Sequence, residues 1–195
     1  MVSKASEPVR EPGLVPVKIV VAGGFGVGKT TFIGSISEIP PLTTEAAVTA
    51  VSEGVDDLEH VRDKRTTTVA MDFGRVTLDG RIVLYLFGTP GQDRFLFVWD
   101  ELVRGAIGAV VLADTRRLDD SFPAVNYFER AGLPFIVAVN CFDGVVTHSL
   151  DAIRDALAVP PAVPIVYTDA REREQTKDAL VAVTRLALER LRAAA

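Results

Sequence analysis

Apolar residues along this chain fall into short continuous runs that alternate with segments of mixed apolar and polar character. The run Val15–Ala22 is almost entirely apolar, which is typical of a strand covered on both faces of a parallel sheet. Further runs predict strands at residues 67–78, 81–87, 106–113, 134–139 and 164–167. Asp79 and Gly80 separate the first two of these further runs, and an Asp-Gly pair between strands favours a tight hairpin.

Between these runs, apolar residues recur at helical spacing. Helices are predicted at residues 28–37, 93–104, 119–131, 150–159 and 173–192. Ser149 precedes the fourth helix and is expected to cap its N-terminus. Strands that alternate with helices predict an α/β fold: a mostly parallel six-stranded sheet with helices on both faces. In such a fold the ligand lies at the carboxyl ends of the strands.

Two segments lack a clear pattern. Residues 1–13 are polar and contain proline, so we expect a disordered leader there and a single domain over residues 14–195. Residues 38–65 show no clear periodicity, which is unusual for a connection inside a compact domain. A mobile switch segment and an ordinary surface loop with a short helix at residues 56–61 are equally good interpretations.

Composition narrows the class of protein. The chain has 195 residues and a net charge of −5, so we expect no general attraction to nucleic acid or anionic lipid. Cys141 is the only cysteine, which excludes an intramolecular disulfide and fits a reducing, cytoplasmic compartment. The sequence shows no signal peptide, no apolar run of the ~18 residues needed for a membrane span, and no lipidation motif. Any membrane association is therefore expected to come through a partner.

The strongest motif follows the first predicted strand and opens the first helix. It has the spacing of a phosphate-binding loop: a glycine, four residues, then Gly-Lys-Thr. Glycines let several backbone N–H groups point into one concavity, and the helix N-terminus adds its positive end. Lys29 supplies a charge for the outer phosphates and Thr30 a hydroxyl for Mg²⁺. The predicted nucleotide contacts here are Gly23, Gly24, Phe25, Gly26, Val27, Gly28, Lys29, Thr30 and Thr31. The alternative is a glycine-rich turn without a ligand.

Four later stretches complete a set of motifs. They are Thr66-Thr67-Thr68-Val69-Ala70-Met71-Asp72-Phe73, Gly88-Thr89-Pro90-Gly91-Gln92, Asn140-Cys141-Phe142-Asp143 and Asp169-Ala170-Arg171. With the phosphate-binding loop, they make most of the chain resemble the small Ras-like GTPases. It looks most like the bacterial branch: the gliding-motility MglA type and, more closely, the conservon-type GTPases of actinobacteria. The resemblance implies a P-loop, small-GTPase-like fold with GTP or GDP and Mg²⁺ as cofactors.

The resemblance also implies roles at the phosphate end. Thr68 would join Thr30 on Mg²⁺, with Thr67 as the alternative, and would meet the γ-phosphate only in the GTP state. The N–H of Gly91 would touch the same phosphate. Gln92 would orient the attacking water, and with Lys29 it forms the predicted catalytic pair. For the threonines, the competing interpretation is a β-branched run that begins a strand.

At the base end, the resemblance implies that Asp143 accepts hydrogen bonds from the N1–H and 2-amino groups of guanine. Asn140 would brace the phosphate loop and the base site, and Cys141 would lie along the purine. Ala170 would donate its N–H to the guanine carbonyl, with Arg171 beside it. The competing interpretation of these residues is a pair of polar loops that follow strands.

Two positions depart from the family pattern. Gly88 stands where an aspartate usually helps to hold Mg²⁺, so weaker metal retention and slow hydrolysis are expected. Cys141 stands where a lysine stem usually covers the purine, and we interpret it as a small buried apolar residue rather than a redox group. An arginine that stabilises the transition state could come from Arg62, Arg65 or Arg94, or from a partner. His60 and His148 receive no role.

The leading hypothesis is a GTP-binding switch with slow Mg²⁺-dependent hydrolysis. A pseudo-GTPase that holds nucleotide without hydrolysing it is the alternative, and a P-loop ATPase or kinase is a third class. The resemblance implies a Roadblock/LC7-type protein as the partner, acting with a membrane sensor kinase. Neither nucleic acid nor a direct membrane anchor is expected.

Overall fold

The computed structural model describes residues 13–40, 42–49, 66–78, 80–91 and 98–194; at residues 42–49, 66–70 and 194 only the backbone is described. The strands in this part of the chain are β1 (Val15–Ala22), β2 (Leu42–Thr49), β3 (Thr66–Leu78), β4 (Ile82–Gly88), β5 (Ala106–Ala113), β6 (Phe135–Asn140) and β7 (Ile165–Thr168). The α-helices are α1 (Lys29–Ile36), α2 (Trp99–Val103), α3 (Phe122–Ala131), α4 (Leu150–Leu157) and α5 (Arg173–Ala194).

These strands form one sheet in the order β2-β3-β4-β1-β5-β6-β7. Strand β1 is central and pairs in parallel with both β4 and β5, while β6 and β7 extend the parallel part. Strand β3 pairs antiparallel with β2 and with β4, and the predicted hairpin at Gly80 joins β3 to β4. The predicted α/β class with a mostly parallel sheet is confirmed.

Helices cover both faces of this sheet. Successive residues of β1 point to opposite sides, so Ile19 and Val21 pack in one core cluster and Val20 and Ala22 in the other. The first cluster includes side chains of α1 and α5, whereas the second includes side chains of α3 and α4. The carboxyl ends of the parallel strands therefore open between helices, where a ligand can approach.

The sheet contains one strand more than the sequence predicted. All six predicted strands are present, and β2 adds an edge strand that pairs antiparallel with β3, from Leu42 opposite Phe73 to Thr49 opposite Thr66. An edge strand has a neighbour on one side only, so it needs no strong apolar alternation. That is why the pattern in residues 38–65 gave no signal. The predicted short helix at residues 56–61 lies outside the described residues.

The helices match the predicted positions with small differences in their bounds, and residues 93–97 of the second predicted helix lie outside the described residues. Helix α3 begins at Phe122 after a 3-10 segment, Thr115–Ser121, rather than at residue 119. The Ser149 hydroxyl accepts a hydrogen bond from the N–H of Ala152, which confirms the predicted cap of α4. Within the described ranges, no helix combines the length and apolar character of a membrane span.

Candidate nucleotide-binding site

The phosphate loop connects β1 to α1 at the carboxyl edge of the sheet. Gly23 and Gly28 have φ angles of 138° and 106°, which L side chains rarely adopt. A Cβ on Gly23 would clash with the carbonyl oxygen of Leu112, and one on Gly28 would lie 2.7 Å from Nδ2 of Asn140. Both positions therefore require glycine for the backbone angle and for space.

Lys29 begins α1 and folds beneath this loop. Its Nζ donates hydrogen bonds to the carbonyl oxygens of Gly23 and Gly24, at 2.9 and 2.8 Å. The residue is only 9% exposed, and burial lowers the pKa of Lys29 to about 8, while the negative charge of Asp72 acts in the opposite direction. A desolvated ammonium at the floor of the loop is a strong partner for a phosphate.

A cavity of about 390 Å³ opens above this lysine. Its lining residues are Phe25, Gly26, Gly28, Lys29, Thr30, Thr31 and Asp72. A second depression, of about 290 Å³, is lined by α5 and the β3–β4 hairpin, and its lining is more apolar than that of the phosphate cavity. That depression shares no lining residue with the phosphate cavity and presents mainly aliphatic side chains, so the phosphate chemistry belongs to the first.

A carboxylate that the sequence analysis did not single out lies against the phosphate loop. The Thr30 hydroxyl donates a 2.7 Å hydrogen bond to Oδ2 of Asp72, which lies on β3. One sequence feature indicated this contact. The Asp-Gly hairpin pairs the strand that contains Asp72 with the strand that ends at Gly88. A hydroxyl and a carboxylate are the hard oxygen ligands that Mg²⁺ prefers, so these two residues fit the metal that the motif implies.

The segment that follows β4 also reaches the loop. A Cβ on Gly91 would lie 2.7 Å from Nζ of Lys29 and 2.9 Å from the Cα of Phe25, so the backbone at Gly91 packs directly against the phosphate loop. For Thr68 the structure gives the backbone, which pairs with Ala47 of β2. The roles assigned to Thr68 and Gly91 remain predictions.

Several predicted residues lie outside the described part of the chain. They are Gln92, the arginines at 62, 65 and 94, and His60. His148 lies in an exposed loop, where its Nδ1 is 2.9 Å from the hydroxyl of Thr147.

Asn140 joins the phosphate loop to the base end of the site. Its Nδ2 donates to the carbonyl oxygen of Val27 at 2.9 Å, and its Oδ1 accepts from the N–H of Ala170 at 3.1 Å. The predicted brace is therefore present as a pair of contacts. Because the N–H of Ala170 is bound to Asn140 here, its contact with guanine remains a prediction. Cys141 is buried, as predicted, and burial raises its pKa.

Asp143 projects from the loop after β6. Its backbone is left-handed, with a φ of 58°, and its side chain is 81% exposed. Nη1 of Arg171 lies 2.9 Å from Oδ1 of Asp143, and the same guanidinium makes a two-pronged contact with Asp169. Those hydrogen bonds from Arg171 lower the pKa of the Asp169 carboxyl. Arg171 thus tethers Asp143 to the loop after β7, a contact that the sequence motif did not indicate.

Two further arginines flank the cleft. The guanidinium of Arg116 lies 4.0 Å from the ring centroid of Phe142, and it also binds Asp114 through two hydrogen bonds. Nη2 of Arg117 donates to the carbonyl oxygen of Phe25 at 2.7 Å. Neither arginine belongs to a recognised motif, and their contacts with Phe142 and Phe25 span long sequence separations, so the sequence did not indicate them.

Comparison with known proteins identifies the family. A family model described as "Conserved hypothetical ATP binding protein" matches residues 21–190, which is most of the chain. The chain belongs to this ATP-binding family. The phosphate loop, Asp72, Asn140 and Asp143 all lie inside the matched region.

Two curated relatives of this chain have low sequence identity to it. It is 28% identical to the uncharacterized protein MJ1339 of Methanocaldococcus jannaschii over 129 residues, covering 65% of this chain and 71% of the relative. It is 24% identical to the Ras-related protein Rab-1C of Dictyostelium discoideum over 176 residues, covering 85% of this chain and 77% of that protein.

Solved structures share the fold of this family member. The cytosolic domain of the T. maritima FeoB iron transporter, in its apo form, superposes with a TM-score of 0.63 at 17% identity. That match covers 88% of this chain and 64% of the FeoB chain. The FeoB G-domain from Methanococcus jannaschii gives a TM-score of 0.59 at 13% identity, and the match covers 89% of this chain and 99% of that domain. The protein is thus a nucleotide-binding protein with a G-domain fold.

Proposed function

We propose that this protein is a GTP-binding molecular switch that hydrolyses GTP slowly with Mg²⁺ and regulates a partner protein. The observation that carries the proposal is the Asn140 brace. Its contacts to Val27 and Ala170 hold the phosphate loop and the base-end loop together. A nucleotide can therefore meet Lys29 with its phosphates while its base lies near Asp143.

Guanine is the proposed base although the family description names ATP. A carboxylate accepts hydrogen bonds, and guanine offers two adjacent donors, N1–H and the 2-amino group. Adenine lacks this donor pair and would leave the carboxylate unpaired, which is costly. The bond from Arg171 to Oδ1 of Asp143 does not exclude a purine, because an ionised carboxylate has about four acceptor sites.

Competition binding tests the choice of base. GTP and ATP are each titrated against a fluorescent GDP derivative, and GTP is expected to compete at least tenfold better. Asp143→Asn is expected to weaken the binding of GTP and to strengthen the binding of xanthosine triphosphate, because xanthine carries a carbonyl where guanine has its amino group. Equal affinity of the wild type for GTP and ATP would contradict the guanine assignment and favour the ATP-binding class.

Hydrolysis is proposed to depend on Gln92. Multiple-turnover phosphate release with Mg²⁺ is measured for the wild type and for Gln92→Ala, alone and with candidate partners. The wild type is expected to exceed the buffer background and the variant to fall toward it, since glutamine at this position orients water in related enzymes. If both remain at background while GTP binds, the protein is the alternative, a pseudo-GTPase scaffold.

The switch and its partner follow from the proposed place of the chain in the bacterial MglA and conservon branch. Contacts to the γ-phosphate from Thr68 and Gly91 would exist only in the GTP state, so hydrolysis would release both segments. A Roadblock/LC7-type protein is the proposed reader of this difference, linked to a membrane sensor kinase. Calorimetric titration of such a protein with the GTP-loaded and GDP-loaded forms is expected to give different affinities, and equal affinities would exclude it.

A further inference from the structure

Asp72 lies against the phosphate loop and beside Gly88. We propose that Asp72, on β3, supplies the carboxylate for Mg²⁺ that Gly88 at the end of β4 does not carry. The inference rests on the proposed binding of a Mg²⁺–nucleotide and names the residue that retains the metal.

The first observation is the contact with the phosphate loop. Oδ2 of Asp72 accepts a 2.7 Å hydrogen bond from the hydroxyl of Thr30, the residue predicted to ligate the metal. Asp72 also lines the phosphate cavity beside Lys29 and is partly buried there. A carboxylate in this position adds the negative charge that a divalent cation needs next to the phosphates.

The second observation concerns the space at Gly88. A Cβ built on this glycine would lie 3.0 Å from Cβ of Asp72, 3.3 Å from its Oδ2 and 3.2 Å from Cδ1 of Ile33. The carboxylate of Asp72 therefore occupies the space into which a side chain at position 88 would point. One site can hold one of these side chains without rearrangement, but not both.

The backbone gives no other reason for the glycine. Gly88 is the last residue of β4 and is not among the glycines with positive φ. A non-glycine residue could adopt this extended backbone. Contact with Asp72, together with Ile33, is thus the explanation that the structure offers for Gly88. The Asp72 carboxylate lies where an aspartate at position 88 would point.

The surrounding groups fit Mg²⁺ rather than a metal held by protein alone. Among the residues that the structure describes, no group of three or more His, Cys, Asp or Glu side chains could hold a metal ion. Mg²⁺ commonly binds through one or two carboxylates together with substrate phosphates and water. One carboxylate beside the Thr30 hydroxyl matches that pattern, and Asp72 can act directly or through a bound water.

A purely structural role is the competing explanation. Asp72 meets Thr30 in the first turn of α1, and a negative charge near a helix N-terminus stabilises the helix in any protein. If the role of Asp72 is only structural, removing its charge lowers the stability of the protein but does not change the response to Mg²⁺. The two explanations therefore differ in a measurable quantity besides hydrolysis.

The test measures release of the fluorescent N-methylanthraniloyl derivative of GDP from the full chain over a range of Mg²⁺ concentrations and in EDTA. For the wild type, Mg²⁺ is expected to slow release. Asp72→Asn keeps an oxygen acceptor for Thr30 and is expected to raise the half-effective Mg²⁺ concentration about 10- to 100-fold, the usual cost of losing a partner of a metal site. Release in EDTA is expected to remain within about twofold of the wild type, because the metal is absent from both.

Two further variants separate metal binding from folding. The exchange Asp72→Gly with Gly88→Asp returns one carboxylate to the same space from the other strand, and it is expected to restore most of the Mg²⁺ response. Asp151→Asn removes a charge from the first turn of α4, away from the cavity, and is the control for a helix-dipole effect. It is expected to leave the Mg²⁺ response unchanged.

The outcomes distinguish this inference from the proposed function. An unchanged Mg²⁺ response in a folded Asp72→Asn protein overturns the inference alone. A wild type that binds nucleotide without any effect of Mg²⁺ overturns the inference and also contradicts the Mg²⁺ requirement of the proposed function. A wild type that binds no guanine nucleotide overturns both. A raised Mg²⁺ requirement in Asp72→Asn that the exchange reverses supports the inference.

Discussion

The side-chain amide of Asn140 donates a 2.9 Å hydrogen bond to the carbonyl oxygen of Val27, across 113 residues of sequence. The same amide accepts from the N–H of Ala170. One buried side chain at the end of β6 thus connects the loop after β1 with the loop after β7. Strand order explains this connection, because β1, β5, β6 and β7 are parallel and their carboxyl ends share one edge.

Removing this amide is expected to cost stability and affinity together. Asn140 is 5% exposed, so Asn140→Ala leaves a buried N–H and a buried carbonyl without their partner, at about 1–3 kcal/mol. Urea unfolding gives the free-energy change and nucleotide titration the affinity. The exposed Asn126 provides the control, and Asn126→Ala is expected to change stability by less than about 0.5 kcal/mol. Equal effects of the two substitutions would contradict the brace.

Gly28→Ala is expected to disrupt the loop through a steric clash as well as through its backbone angle. The new Cβ would lie 2.7 Å from Nδ2 of Asn140 at a φ of 106°. Gly132→Ala is the matched control, because Gly132 has a φ of 65° with nothing within 4 Å of the new Cβ. The control is expected to cost about 1 kcal/mol from strain alone, and Gly28→Ala is expected to cost more and to abolish nucleotide binding. Thermal unfolding and titration with fluorescent GDP measure both quantities.

Lys29→Met is expected to abolish detectable nucleotide binding while the chain stays folded. The lysine carries the buried positive charge beneath the loop, and methionine keeps the aliphatic stem without it. Equilibrium binding of fluorescent GDP is the measurement, with circular dichroism as the check on folding. Lys177→Met is the control, since Lys177 is exposed on α5 and pairs with Glu174. Retention of GDP by Lys29→Met would show that the backbone of the loop supplies most of the affinity.

The same lysine predicts a pH dependence of stability in the nucleotide-free protein. Its pKa falls from 10.5 to about 8 on folding because burial disfavours the charged form. Between pH 8 and 10.5 the unfolded chain therefore binds more protons at this residue, so its contribution to stability rises with pH. Relative to Lys29→Met, the free energy of unfolding of the wild type is expected to rise by up to about 3 kcal/mol over this range. Urea unfolding at several pH values checks this, and a constant difference between the two proteins would refute it.

Short-range patterns determined much of this protein. The near-continuous apolar run of β1 predicted a central parallel strand, because a strand covered on both faces has no polar side. The predicted hairpin at Gly80 and the predicted Ser149 cap are also confirmed, since each depends on residues a few positions apart. The spacing of Gly23, Gly28 and Lys29 predicted a phosphate loop, and the positive φ angles and close contacts of its glycines agree with that geometry.

Tertiary structure decided the contacts between distant segments. The edge strand β2 forms because it can pair with β3, and its own sequence shows little apolar–polar alternation that would predict a strand. The approach of Asp72 to Thr30 spans 42 residues and depends on how β3 pairs with β4. The tether from Arg171 to Asp143 likewise depends on the parallel pairing of β6 and β7. Sequence periodicity reports which face of an element is buried, but strand order and register determine which side chains meet at the edge of the sheet.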